Sequence, residues 1–317
     1  MVNMSADHRV QGSCFGYSIV SDLSFNYLRH GDGEPLEVME GPCPDDHPGE
    51  LLREGGPPLF PVMSRIYRNR SGFRIWAEEL GWLQVDTHPA RITVPPATDL
   101  IRREQRIWGL PMLFCILQRG DVPLHAAAVE VDGRALVIAA PGRFGKTTLA
   151  AAFAQAGYRV LGEDLVCLRP GKTLSVIPGP ALLRLRTDVA DAFRIPGAVE
   201  VARDQERVHL ALRGNAGTCD PLPVAGVALL LEGESSPTLE PVPLSEAVRD
   251  LWAVSFNLPT TEDRARCFAA VAGLASSTPV WHITRRRRLQ DLPATIECLR
   301  DVVRSCAKPE SKGRPSE

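Results

Sequence analysis

The 317-residue chain predicts an α/β protein: a mixed β-sheet core around a phosphate loop, preceded by a mainly β N-terminal module. Three observations carry that reading. The apolar run 135–139 leads into APGRFGKTT at 140–148, then into an Ala-rich run closed by Gly157, which is strand, loop, helix and C-cap glycine in order. Asp132-Gly133 is a hairpin signal, so the run 122–131 should lie antiparallel beside the strand that feeds the loop, and the sheet should be mixed. Before residue 98, aromatic and β-branched residues recur with a period near two, as in Phe73 and Ile75.

Taken in order, residues 14–28 read as strand and the Gly/Pro/acidic stretch after them as loop, interrupted by a short strand at 36–39. Residues 65–96 read as short strands with turns at 70–72 and 87–89. From 99 to 118, Ile101, Ile107, Leu110, Leu113, Phe114 and Leu117 recur at three- and four-residue intervals, which predicts a helix over the sheet, kinked or split at Pro111. Strands follow at 158–161 and 165–168, separated by Gly162-Glu163-Asp164, then at 174–177 and 181–186. A short helix should start at Thr187. The polar stretch 200–220 holds one strand, 208–212, and 224–231 is an almost continuous apolar strand. Helices are expected at 244–252, capped by Ser245, and at 262–274; a strand at 280–283 precedes the basic cluster 285–288. Asp291 should cap a last helix through 303, with Pro293 in its first turn. The implied division is 1–98, a mainly β module; 99–304, the phosphate-loop domain; and 305–317, a disordered polar tail.

Composition excludes some classes of function. With 44% hydrophobic and 23% charged residues and a formal net charge of -2, the chain has no global attraction for nucleic acid or an anionic membrane. The run of four arginines at 285–288 is too short to change that, so neither nucleic acid nor membrane is expected as a partner. The N-terminus lacks the apolar segment of a signal peptide, and no run approaches the roughly 18 apolar residues of a membrane span. The eight cysteines have no CxxC spacing, which predicts reduced packing thiols in a cytoplasmic protein; self-association into a homo-oligomer is left open.

The chemistry of 140–148 explains its residue types. A polyphosphate needs several backbone N–H groups aimed at one spot, a helix N-terminus behind them, a cation and a metal-binding hydroxyl. Gly142, Arg143, Phe144, Gly145, Lys146, Thr147 and Thr148 would line that cradle: Gly145 bends the chain, Lys146 supplies the cation and Thr147 binds Mg²⁺. Glu163 and Asp164 lie 17 and 18 residues after Lys146, and His125 lies 21 before it. If their strands are neighbours, all four groups surround one phosphate. Adjacent carboxylates face opposite ways on a regular strand, a restriction that a bend at Gly162 would relax. Arg184, Arg186 and the 285–288 cluster are candidates for phosphate or anionic-substrate contacts, against the default of solvated charge.

The order Leu-His, Asp-Gly hairpin, Gly-Lys-Thr-Thr loop, helix ending Ala-Gly and acidic pair resembles the catalytic core of HPr kinase/phosphorylase. It resembles more closely the HPr-kinase-related proteins found with ribosomally made peptides, including lasso peptide kinases. The likeness is clearest over 122–190. It implies a fold akin to phosphoenolpyruvate carboxykinase, ATP and Mg²⁺ as cofactors, and phosphoryl transfer to a hydroxyl, usually serine, of a peptide or small protein. It also implies roles: His125 to orient or stabilise the transferred group, Lys146 on the phosphates, Thr147 and Asp164 on the metal, and Glu163 as base. Ala140 stands at the family's first glycine, Arg143 at another, and Glu163 at its first aspartate. No counterpart of the long glycine-rich signature of the dual-activity enzymes is evident. Two other readings fit the same residues: a nucleotide-binding adaptor of a peptide-modifying complex, and a kinase for a small metabolite such as free serine.

Overall fold

Tight turns set the strand pairs of the N-terminal half. The computed structural model describes residues 9–43, 48–55, 64–78, 80–96 and 100–307. Strands β1 (Arg9–Cys14) and β2 (Tyr17–Ser21) meet through Phe15-Gly16, both at positive φ (51° and 75°), the two-residue turn that matches strand twist. With β3 (Glu34–Glu40), β4 (Glu50–Gly55), β5 (Ser64–Arg68), β6 (Gly72–Ala77), β7 (Gly81–Thr87) and β8 (Ala90–Val94) they form an eight-stranded sheet, order β1-β2-β3-β8-β7-β6-β5-β4. The pairs β2–β3 and β3–β8 are parallel. β4 is not foreshadowed in the sequence, because this edge strand has no buried residue to mark an inward face.

The helical stretch expected from 99 to 118, kinked or split at Pro111, is two helices, α1 (Leu100–Ile107) and α2 (Leu110–Gln118); Asp99 lies outside the described residues. The break falls at Trp108-Gly109. Pro111 sits in the first turn of α2, where a missing N–H costs no intrahelical bond. From Pro111 to Leu117 α2 is wholly buried, packed on β7 and β8 and on β9 (Val122–Leu124) of the second sheet. Phe73 and Phe114 stack there with ring centroids 4.1 Å apart.

The second sheet has nine strands and is mixed, as the hairpin signal predicts. β10 (Ala126–Val131) and β11 (Arg134–Ala139) are joined through Asp132-Gly133, both at positive φ. β12 (Val160–Gly162), β13 (Val166–Arg169) and β14 (Ser175–Ile177) pair antiparallel with their neighbours. The run 122–131, expected as one strand, breaks at His125: β9 pairs with β13, while β10 pairs with β11 and β12. A small third sheet holds β15 (Leu182–Arg186), β16 (Ala198–Arg203) and β17 (Arg207–Leu212) in the order β15-β17-β16. β16 falls in a stretch whose polarity hides it.

β18 (Leu222–Glu232) runs parallel to β11 and to β20 (Val280–Arg285); β19 (Thr238–Pro241), also unforeseen, is antiparallel to β20. One face of this sheet is covered by α3 (Lys146–Gln155) and by α7 (Leu292–Ala307), a second apolar cluster. Between β15 and β16, α4 (Thr187–Ala190) is a single turn. The other face joins the main core with α5 (Leu244–Ala253) and α6 (Thr261–Ser277). Ser245 is not a cap. α5 starts after Pro243 without a side-chain bond, whereas Thr260 caps α6 by accepting from the Asp263 N–H. Asp291 precedes α7, but its carboxylate is held by Arg286. The first three residues of the expected disordered tail, 305–307, still belong to α7; the rest, 308–317, lies outside the described residues.

Arg29 ties the two large sheets together. Wholly buried, it donates to the carbonyls of Val160, Gly179 and Ala216. The seven cysteines whose side chains are described are free thiols, five of them buried. Among the described residues no helix is long and apolar enough to cross a membrane.

Candidate active site

The loop 140–145 leaves β11 at the end where the parallel strands β18 and β20 also finish. Gly145, at φ 86°, forms the N-cap of α3 and supplies no side-chain cap, so the first-turn N–H groups of the helix remain for a ligand. Gly142 and Arg143 are exposed, Phe144 and Thr148 half-buried. Arg143 adopts φ 68°, the left-handed region that favours glycine.

Lys146 folds back under the loop. Its Nζ donates to the carbonyls of Ala140 (2.9 Å) and Pro141 (3.2 Å) and lies 3.1 Å from His125 Nε2. An ammonium has only donors, so Nε2 accepts; Nδ1–H then donates to the Asp164 carbonyl at 3.1 Å, and the ring is neutral. Burial first, then the charge of Lys146, pushes the His125 pKa below its ordinary value. Burial also lowers that of Lys146, against the pull of Asp164 and Glu163.

The acidic pair sits in a three-residue turn closed by Leu165 N–H donating to the Glu163 carbonyl (2.7 Å), with Asp164 at φ 59° in its centre. That turn sends the two carboxylates to different places. Glu163, its side chain 2% exposed, accepts from Thr147 Oγ1 at 2.7 Å and pairs with Arg184 Nε at 2.8 Å. Asp164 is 47% exposed and meets Arg184 Nη2 only at 3.4 Å. Thr147 is thus paired with Glu163 and not with Asp164, the residue expected to share a metal with it. The partner of Thr147 is Glu163, because Glu163 continues inward from β12 while the positive φ of Asp164 swings the next side chain outward. Burial raises the Glu163 carboxyl to about 7, with Arg184 opposing. Burial alone would also raise Asp164, but Arg184, His125 and Lys146 outweigh it and hold its pKa below the usual range.

Asp164, His125 and Arg184 open onto a cavity of about 290 Å³ walled by Trp108, Leu113 and Phe256. A second lobe of about 320 Å³ shares His125, Leu113 and Phe256 with it.

The sequence does not assign the contacts of three arginines at the site and its loop. Arg184 clamps both acidic residues, while Arg186, two residues on, is exposed and paired with Asp188. From the cluster 285–288, Arg287 Nη2 donates to the Arg143 carbonyl at 2.6 Å and its guanidinium lies 5.7 Å from the Phe144 ring centroid; Arg285 Nη2 reaches the Phe144 carbonyl at 3.5 Å. In sequence these were four adjacent positive charges, and nothing in the run distinguishes the two that bend onto the loop.

No protein-family model and no curated protein matches this chain. Among solved structures, the Hpr(Ser) kinase/phosphatase from Coxiella burnetii is similar over 58% of this chain and 96% of its own, with 14% sequence identity and a TM-score of 0.33. The chemistry of the site is read from its own geometry.

Proposed function

We propose that the protein is an ATP- and Mg²⁺-dependent kinase that phosphorylates a hydroxyl, serine in particular, of a ribosomally made peptide or small protein, as in lasso peptide tailoring. The observation that carries this is the convergence on one loop end of Lys146, the Thr147–Glu163 pair, and an exposed Asp164 beside neutral His125.

The roles follow from that geometry. The N–H groups of 142–148 would hold the phosphates, and Lys146 would exchange neutral carbonyls for phosphate oxygens. Thr147 and Glu163 present a hydroxyl and a carboxylate, hard oxygen donors that suit Mg²⁺; bound there, the ion would neutralise charge on the phosphates. Asp164, ionised and half-exposed, would accept the acceptor's O–H proton while that oxygen bonds to the terminal phosphorus and the bond to the departing diphosphate breaks. His125 would orient Lys146 and the Asp164 turn. Arg184 keeps Glu163 from lying uncompensated beside Asp164.

The apolar wall of Trp108, Leu113 and Phe256 favours a serine within a chain over free serine, whose ammonium and carboxylate would lose hydration there. The test is transfer of labelled γ-phosphate from ATP to a serine-containing candidate precursor peptide. Wild type should add the mass of one phosphate and Lys146→Ala none; equal transfer by both would overturn the assignment. ATP binding by wild type without any mass increase would point to the adaptor instead.

A further inference from the structure

The sheet order β10-β11-β18-β20 puts two kinds of group on opposite flanks of the loop. His125 precedes β10 on one side. Arg285 ends β20, two strands away on the other, in register with Glu232 of β18.

Arg285 is a buried cation without an adequate partner. It is 4% exposed, its Nε has no hydrogen bond, and its two long bonds run to the carbonyls of Arg286 (3.3 Å) and Phe144 (3.5 Å). The nearby acids are engaged elsewhere: Asp291 pairs with Arg286 at 2.9 Å and Glu232 with Arg287 at 3.5 Å. A buried charge left so is costly unless a ligand completes it. Its direction is also informative. A Cβ at Gly145 would lie 3.0 Å from Arg285 Nη2, so the guanidinium abuts the N-cap of the ten-residue helix α3, where the free N–H groups emerge. Burial, with Arg287 adding to it, depresses the pKa of the guanidinium, which an anion would reverse.

We infer that Arg285 is a ligand for the inner phosphates of a bound nucleoside diphosphate or triphosphate, completing an anion site with the α3 N-terminus. This rests on the kinase reading and adds its polarity: the terminal phosphate lies toward Lys146, His125 and Asp164, the departing diphosphate toward Arg285. A planar guanidinium suits two phosphate oxygens at once.

Calorimetry of ADP, ATP and AMP with Mg²⁺ on wild type, Arg285→Gln and Arg285→Lys tests it, together with melting of each protein without nucleotide. Arg285→Gln should weaken ADP and ATP alike by about 10- to 100-fold, the range of a lost charge-assisted contact, and AMP much less. Arg285→Lys should recover part of the loss. Without nucleotide, Arg285→Gln should melt no lower than wild type, because an unpaired buried charge has been removed. Binding of ADP by Arg285→Gln within twofold of wild type overturns the inference. So does a lower nucleotide-free midpoint, which would make the residue a structural prop. If wild type binds neither ADP nor ATP, the kinase reading itself fails, a result separate from either of these.

Discussion

The two flanks of the phosphate loop differ in how completely their charges are met. On the His125 side every polar group has a partner: Lys146 has two carbonyls and a ring nitrogen, His125 has the Asp164 carbonyl, and Glu163 has Thr147 and Arg184. On the Arg285 side a guanidinium stays buried with an unbonded Nε. On the proposed kinase reading, the saturated flank would serve proton and phosphoryl movement, which needs groups held in fixed relation, and the unsaturated flank would hold an anion.

The largest effect that separates them is on rate. Asp164→Asn should lower phosphoryl transfer by about 10²- to 10⁴-fold, the usual contribution of general-base catalysis, while ADP affinity stays within about twofold. That is the inverse of Arg285→Gln. A matching loss of ADP affinity in both variants would merge the flanks into one site.

A smaller difference lies in acid sensitivity. His125 titrates below its ordinary 6.5 when folded, so as pH falls from there the unfolded chain takes up protons before the folded one and stability declines. Chemical denaturation at pH 7 and pH 5 should show wild type losing more than His125→Asn, and an equal loss would mean that the ring is not held neutral.

The smallest effect belongs to Arg143. Left-handed backbone costs a residue with a Cβ about 1–2 kcal/mol, and glycine loses about 0.5–1 kcal/mol through the unfolded chain, so Arg143→Gly should change stability by about 1 kcal/mol or less. A drop well beyond that in thermal denaturation would show that the Arg143 side chain supports the loop, a role its exposure gives no sign of.

Much of the fold around the loop is legible because its signals are local. Asp132-Gly133, the apolar run before Ala140, and Gly157 after α3 each mark a turn or a cap within a few residues. Elements without an inward face were not legible: β4, β16 and β19 contain no buried residue. The break at Trp108-Gly109 was masked by Pro111, which breaks helix interiors but suits a first turn. At the site, the residue types could be read but not their assignment. Which carboxylate meets Thr147 depends on a single positive φ at Asp164, and a backbone choice of that kind leaves no trace in composition or spacing. The use of Arg285 depends on strand order across β11, β18 and β20, a relation between segments about 140 residues apart.

Arg29 carries a consequence for how such proteins can be recombined. Its guanidinium crosses from the first sheet to the Val160 carbonyl, at the start of the strand that delivers Glu163. The N-terminal sheet is thus plumbed into the interior of the part that holds the phosphate loop rather than appended to it. A chimera that exchanged the first 98 residues for an unrelated module would leave the carbonyls of Val160, Gly179 and Ala216 without this donor, the first of them three residues before Glu163. Natural or engineered swaps at that boundary should succeed only where the incoming module brings its own buried cation to the same place.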